Sequence, residues 1–381
     1  MEIIESTFPG IKKELIENGA VDLNLGNQID WFQYGSWKVQ IISSTSLLFN
    51  SRSLLDSLIR QRILKNKKII VLSEYKVKGI ICDKQKNKIS RVVVKKGAHE
   101  EIIEGDIIID ASGFSSKMPE WLECNGYTKP EKDQVKKEVG YASRVYDAKP
   151  DEEIRTTLIW SSSDNMQRIG IVLPMENNQF MFSLGGAFSD QPKSDEDEFM
   201  KFAENLDSNR IYELLLNREA AGKTRVFKFH GSTWTRYDKL KYHPSNLIVA
   251  GAALCYINPF FGQGISICSE HADIIGENIL DWQLGVTTIK DINKKLKKAT
   301  AQPWNMSKIE DYRHLHVDGH RSMITRFLLW YTKKYLIATN SDAYLRNHQI
   351  ELYTMQIPSY QLFNPRVILK TFKKRGKGKH R

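Results

Sequence analysis

The residues best suited to chemistry form one run, Leu247-Ile-Val-Ala-Gly-Ala-Ala-Leu-Cys-Tyr-Ile-Asn-Pro-Phe-Phe-Gly-Gln-Gly264. An apolar, strand-like stretch ends at Gly251, a loop follows, and Asn258-Pro259-x-x-Gly262-Gln263-Gly264 opens a helical period reaching about Trp282. Glycine lets backbone approach a flat ligand without a Cβ clash. The first turn of a helix adds unpaired N–H groups and a partial positive charge. Together they suit the electron-rich edge of a planar group.

Two other segments carry similar logic. Gly105-Asp-Ile-Ile-Ile-Asp-Ala-Ser-Gly-Phe-Ser-Ser-Lys117 is a continuous apolar strand ending in small residues, Ser112 and Gly113 among them. Such a strand suits a buried parallel sheet with a ligand loop at its carboxyl end. Ser51 is a suitable N-cap for a helix over Arg52–Leu64, whose Leu54, Leu55, Leu58, Ile59 and Ile63 share a face. That places Arg52 at a helix N-terminus.

Other reactive types assemble less well. His314, His316 and His320 cluster, but Gly319 interrupts the helix that would align them and no His-Glu-x-x-His pattern is present, so no metal is expected. Trp304, Trp330, Tyr331 and Tyr335 read as core or interface residues. No nucleophile elbow or Walker sequence occurs. Cys82, Cys124, Cys255 and Cys268 are scattered, which fits a reducing cytoplasm better than a disulfide framework.

The elements that must position these groups follow from periodicity. Residues 8–18 read as a helix stopped at Gly19, and Trp31–Phe49 as two strands joined near Ser43–Ser46. Ile69–Leu72, Val77–Cys82, Ser90–Lys95 and Asp106–Asp110 read as strands. Gly140–Trp160 and Arg168–Gly185 look like antiparallel strands of a second sheet, followed by helix over Asp195–Leu216. After the Leu247–Ala250 strand and its helix, Thr288–Lys374 is helical with breaks expected at Pro303, Pro358 and Pro365. No internal repeat is evident. A parallel-type sheet beside an antiparallel one implies an α/β fold with an attached β-rich domain.

Composition narrows the class. With 381 residues, 41% hydrophobic and 27% charged, the chain reads as globular, with two to three packed units. No stretch approaches a membrane span of about 18 apolar residues, and the start has neither basic nor apolar signal regions. The net charge of +11 gathers partly in Lys373–Arg381. That run reads as a solvated tail; without interleaved aromatics beyond Phe372 it does not suggest nucleic-acid stacking.

The Gly251–Gly264 segment resembles the second flavin motif of the FAD-dependent aromatic-hydroxylase-like (group A) flavoprotein monooxygenases, written G-D-A-x-H/C…N-P-x-x-G-Q-G. Gly105–Lys117 resembles the family's strand-ended A-D-G-x-x-S motif, in the form D-A-S-G-x-x-S-x-x-P, and Pro119 matches. Ser51-Arg52-Ser53-Leu54-Leu55 resembles the segment whose arginine contacts the cofactor. Gly140-Tyr-Ala-Ser-Arg144, Gly170-Ile-Val-Leu-Pro174 and Trp234-x-Arg-Tyr237 add to the likeness, which runs over residues 8–290 and more loosely to the end.

The resemblance implies a Rossmann-like FAD-binding sheet, a mixed β-sheet substrate domain and a helical C-terminal region. The expected FAD-binding pieces are residues 51–130 and 236–285, the substrate domain 20–50 and 131–235, and the C-terminal region with its basic tail 286–381. FAD would be reduced by NAD(P)H and pass oxygen from O2 to a small lipophilic or aromatic molecule, by hydroxylation or epoxidation. Arg52, Ser112, Gly113, Gly251, Ala252, Pro259, Gly262, Gln263 and Gly264 would contact FAD; no catalytic acid or base is implied.

Two departures stand against that pattern. No G-x-G-x-x-G turn precedes Arg52, where Gly10, Gly19, Gly26 and Gly35 are isolated, so the pyrophosphate-binding unit is expected to be missing. Ala252 stands where the family usually carries aspartate. Losing that ribityl contact costs on the order of 1 to 3 kcal/mol, or about 5- to 150-fold in affinity. A remnant, a split enzyme needing a separate N-terminal FAD-binding fragment, and an isoprenoid-reducing flavoprotein remain open alternatives.

Overall fold

A computed structural model describes residues 1–161 and 168–373; the basic run at 374–381 lies outside them. Helix α1 (Glu2–Thr7) precedes α2 (Ile11–Glu17), the two separated by Gly10 at φ +84°. Ile11 and Leu15 of α2 pack against Leu55 and Leu58 in a small core. Strands β1 (Val21–Asn24), β2 (Ile29–Gln33), β3 (Ser36–Trp37) and β4 (Ser46–Phe49) follow. β4 pairs with β1 rather than with β2, so the two strands expected between Trp31 and Phe49 serve different sheets. Helix α3 (Arg52–Lys65) begins as its cap dictates, with Ser51 Oγ accepting from the Leu54 N–H at 3.1 Å.

Strands β5 (Lys76–Asp83), β6 (Lys88–Lys96) and β7 (His99–Ile103) form an antiparallel meander. The polar sequence of β7 concealed it. Ile69–Leu72, expected as a strand, forms none: its four side chains are 45%, 83%, 43% and 45% exposed. An apolar run without a pairing partner has no ladder to join. Next come β8 (Ile108–Asp110), α4 (Met118–Cys124) and β9 (Lys132–Val135).

The large sheet is built from β10 (Val139–Asp147), β11 (Thr156–Trp160), β12 (Arg168–Met175) and β13 (Gln179–Ala187). Alternating burial along β10, β12 and β13 puts one face on α5 (Glu196–Glu204) and α6 (Arg210–Leu215). With β14 (Arg225–Phe229), β2 and β3 the sheet has seven strands in the order β14-β10-β13-β12-β11-β2-β3, all antiparallel except β11 with β2. β15 (Ser232–Thr235) joins β9 and the later β17 (Cys255–Tyr256). β16 (Leu247–Val249) pairs in parallel with β8.

The remaining chain is helical: α7 (Gly264–Gln283), α8 (Ile289–Tyr312), α9 (Met323–Ala338), α10 (Ala343–Tyr353) and α11 (Pro365–Phe372). Pro303 does not break α8, contrary to expectation. The lost hydrogen bond and ring clash cost roughly 3 kcal/mol, which burial of Ile292, Leu296 and Trp304 against β16 and its neighbours offsets. No described helix is long and apolar enough to cross a membrane.

Two buried polar contacts lock α8 to the rest. His271 of α7 bonds through Nε2 to Thr300 Oγ1 at 3.0 Å, and Thr300 donates to the Leu296 carbonyl. Its Nδ1 accepts the Gly251 N–H at 2.9 Å, so the ring is the neutral Nε2–H tautomer. Deeper in, Lys137 Nζ meets Asp311 Oδ1 at 3.0 Å, with the two side chains 2% and 0% exposed.

Both contacts have measurable consequences. Burial lowers the His271 pKa from 6.5 to about 4. The unfolded chain therefore binds the proton first, and the stability contributed by neutral His271 is complete above about pH 6.5. It drains as the pH falls from 6.5 towards 4. Between about pH 7 and about pH 5 the wild-type chain should lose roughly 2 kcal/mol more than His271→Gln, measured by urea unfolding at both pH values. For the ion pair, Lys137→Met and Asp311→Asn should each destabilise by about 3 to 5 kcal/mol, because each strands a buried charge. The double variant should lose clearly less than the sum; additive losses would show that the pair is not coupled.

Candidate functional site

The parallel pairing of β8 with β16 sets the site. Its register matches Asp110 with Val249, and the Ala250 N–H donates to the Asp110 carbonyl at 3.0 Å. Ala111–Gly113 and Gly251–Ala252 therefore leave adjacent strands at their carboxyl ends, side by side. The Asp110 carboxylate, 7% exposed, organises the first loop. Its Oδ1 accepts from the Ser112 N–H and hydroxyl at 3.0 and 2.6 Å, and its Oδ2 accepts from the Ser116 hydroxyl. Asp110 was not among the expected site residues, although Asp-Ala-Ser is a spacing at which a carboxylate caps its own chain two residues on. Gly113 follows at φ +87° with open space where a Cβ would stand. Beyond it, Phe114 is 71% exposed and stacks on Tyr256, ring centres 5.1 Å apart.

The second loop is held from below. Gly251 has φ +59°, and a Cβ there would sit 3.1 Å from Cys268 Sγ. His271, the second residue the sequence reading missed, fixes its N–H. Burial pushes the Cys268 thiol up, against the opposing pull of the Ala252 backbone and the Arg52 guanidinium. The Arg52 guanidinium thus stands within electrostatic reach of the Cys268 thiol. The exposed Arg52 side chain bonds Asp56 one turn along α3 at 3.1 Å.

The third piece is pinned at Asn258, a fully buried residue. Its Nδ2 donates to Asp311 Oδ1 at 2.8 Å, its N–H donates to Ser232 Oγ, and its Oδ1 accepts from Tyr141 OH and the Phe260 N–H, both at 3.1 Å. Pro259–Phe261 then makes one 3₁₀ turn to Gly262 at φ +64°. Gly262 and Gly264 are exposed and have nothing within 4 Å of a built Cβ. The Gln263 side chain does not cap α7; its Nε2 donates to the Tyr353 carbonyl at 3.3 Å.

The segment borders two cavities. One of about 390 Å³ touches Phe114, Ser116, Ala252 and Tyr256. The other, about 640 Å³, is walled by Trp31, Trp160, Phe260, Phe261, Gln263 and Tyr353. The described residues hold no group of three or more His, Cys, Asp or Glu arranged for a metal. His314 and His316 instead make tilted ring contacts with each other and with Phe188, and burial lowers the His314 pKa to about 4.

This geometry fits the ring end of FAD. Open glycine backbone at the start of a 20-residue helix suits the edge of a flat, electron-rich ring. Gly251 and Gly113 offer close backbone approach nearby. The fit weakens away from the ring: Ala252 brings no carboxylate, and no Gly-x-Gly-x-x-Gly turn occurs in the sequence.

No family model matches the chain. Protein Rv3254 of Mycobacterium tuberculosis (strain ATCC 25618 / H37Rv) is 24% identical over 326 residues, covering 82% of this chain and 68% of that protein. The structure is similar to that of the flavin-dependent brominase Bmp2, with a TM-score of 0.66 and 15% identity over 92% of this chain and 80% of the brominase. It is also similar to PqsL, a probable FAD-dependent monooxygenase from Pseudomonas aeruginosa, with a TM-score of 0.59 and 12% identity over 78% of each chain. The mixed α/β architecture, with several sheets and a helical C-terminal region, is thus the fold of FAD-dependent halogenases and monooxygenases.

Proposed function

We propose that the chain is the substrate-binding and ring-binding part of a cytoplasmic FAD-dependent oxidoreductase, a monooxygenase acting on a small lipophilic or aromatic molecule with NAD(P)H as reductant. The observation that carries this reading is the double use of one loop. Between Asn258 and Gly264, exposed glycine backbone suits a flat cofactor ring, while Phe260, Phe261 and the Gln263 side chain wall the 640 Å³ cavity. Cofactor and substrate would therefore meet across a few residues, as oxygen transfer requires.

When bound, FAD supplies the electron-transfer and oxygen chemistry. The protein's part is positional. Gly262 and Gly264 admit the ring edge, and the first N–H groups of α7 favour negative charge there. Gly251, Ala252, Ser112 and Gly113 would hold the rest of the group, and Arg52 would add a positive charge. Aromatic walls exclude water from the substrate side. The similar proteins named as a brominase and a probable monooxygenase support flavin use without choosing between these chemistries.

A second feature bears on what the working enzyme contains. Among the described residues β8 pairs only with β16, Ile109 in its middle is 47% exposed, and Ile69–Leu72 lies exposed without a strand. Parallel sheets are normally covered on both faces. We infer that a separate FAD-binding fragment adds a strand at the free edge of β8 and brings the pyrophosphate site.

The test is visible absorption after incubation with excess FAD and desalting. Retained flavin bands support the reading, and Ala252→Asp should then tighten FAD by about 5- to 150-fold. Gly264→Val should weaken it at least tenfold by blocking the ring edge. A colourless chain that melts cooperatively, and yellows only on co-expression with the upstream reading frame, would assign activity to the two-part enzyme. A colourless product in both cases would sink the flavin reading.

A further inference from the structure

Helices α9 and α11 turn apolar side chains to the outside. Met323 and Ile324 at the start of α9 are 87% and 72% exposed, and Leu369 of α11 is 73% exposed. Along α9, Met323, Phe327, Trp330 and Ile337 recur at helical spacing on one exposed face. Ring contacts join the two helices. Trp330 stacks on Phe372 with centres 5.5 Å apart and lies 5.9 Å from Phe327. An apolar patch of this kind marks a surface that something covers.

The charge around the patch has one sign. Neither α9 nor the chain from Pro365 to Arg381 holds an aspartate or glutamate, whereas α9 carries Arg326, Lys333 and Lys334. Asp342, which follows α9, is held by Lys370 at 3.0 Å. The most basic run of the chain, Lys373-Lys-Arg-Gly-Lys-Gly-Lys-His-Arg381, starts at the residue after Phe372, hence at the edge of the patch. A second copy of the chain fits poorly here. A two-fold contact sets the patch against itself and brings two basic, acid-free runs together. The complementary surface is negatively charged, apolar underneath and without fixed shape, since Met323, Ile324 and Leu369 project outwards. An anionic lipid bilayer has these properties. Aromatic rings settle at its headgroup level, and clustered lysines and arginines are drawn to its acidic lipids.

We propose that the α9–α11 face docks the protein on an anionic lipid bilayer surface. The exposed rings and aliphatic side chains enter the headgroup layer, and the basic C-terminal run supplies the charge attraction. Each signal alone is weak, and the two together give stable but reversible attachment. The position of the patch gives docking a use. Thr325, Leu328 and Thr332 of α9 line the 640 Å³ cavity, as do the exposed Tyr360 and Phe363. Phe363 and Phe372 both contact the Tyr331 ring, so cavity wall and patch adjoin. That the cavity takes a lipophilic substrate from the bilayer rests on the oxidoreductase reading; the docking does not.

The experiment is co-sedimentation of the full chain with sucrose-loaded vesicles, of phosphatidylcholine alone or mixed about 7:3 with phosphatidylserine. The expected result is at least tenfold stronger partitioning onto the mixed vesicles at about 0.1 M salt, weakening several-fold at about 0.5 M. Met323→Glu combined with Ile324→Glu should cost at least tenfold on mixed vesicles with the basic run intact. These side chains are exposed, so the melting temperature should not move. Replacing Lys374, Arg375, Lys377 and Lys379 by glutamine should remove the preference for phosphatidylserine, a readout independent of any change in the helices. Absence of pelleting, equal binding to both compositions, or full binding by the Met323→Glu/Ile324→Glu variant would overturn the proposal. A dimer that this variant dissolves, without vesicle binding, would give the face to a second copy instead. Vesicle binding by a chain colourless both alone and after co-expression would leave docking standing and remove the oxidoreductase reading. Retained FAD without vesicle binding would do the reverse.

Discussion

A single buried carboxylate, Asp311, ties the molecule together. It lies on α8, yet its partners come from Lys137 before β10, Ser232 on β15 and Asn258 at the start of the glycine loop. A charge taken out of water at 0% exposure is tolerable only when all these partners are present together. The large sheet, the small sheet and the C-terminal helices must therefore close around Asp311 in one arrangement. Tyr141 completes the set by bonding Asn258 from β10. The glycine loop, whose Phe260, Phe261 and Gln263 line the larger cavity, rests on this network, and Lys137 also sits 5.9 Å from the Phe260 ring.

That arrangement explains which parts of the fold could be read from the sequence. The start of α3 at its Ser51 cap, the four main strands of the large sheet and the run from β16 through Gly251 to α7 all follow from local signals. Caps act within one turn, and strand alternation and glycine conformations are properties of neighbouring residues. The site's three pieces were legible for the same reason. Their meeting rests on the parallel pairing of two apolar runs, which a sequence can suggest but whose register it does not state.

What stayed hidden depends on distant partners. Lys137 and Asp311 are 174 positions apart, and nothing local marks either as buried. His271 reads as an ordinary helical residue until Gly251 and Thr300 are brought to its two nitrogens. Pro303 predicts a break, but the packing of α8 outweighs its local cost. Ile69–Leu72 fails in the opposite direction: its apolar, β-branched composition asks for a strand, and no neighbouring strand supplies the ladder. Asp110 lies between these cases, since its bonds to Ser112 and Ser116 are local and an Asp-x-Ser spacing was there to be weighed.

The same reasoning separates the two ends of the cofactor site. Positive φ angles at Gly113, Gly251 and Gly262 are local choices that glycine makes without strain, and they shape the loop backbone. A pyrophosphate cradle needs successive N–H groups converging on one anion, which a glycine-rich strand-to-helix turn provides and isolated glycines do not. Among the described residues β8 pairs only with β16, and the Ile69–Leu72 run is exposed. Loop and helix thus border a cavity walled by aromatic side chains on one side, and on the other, among the described residues, a two-stranded parallel pair.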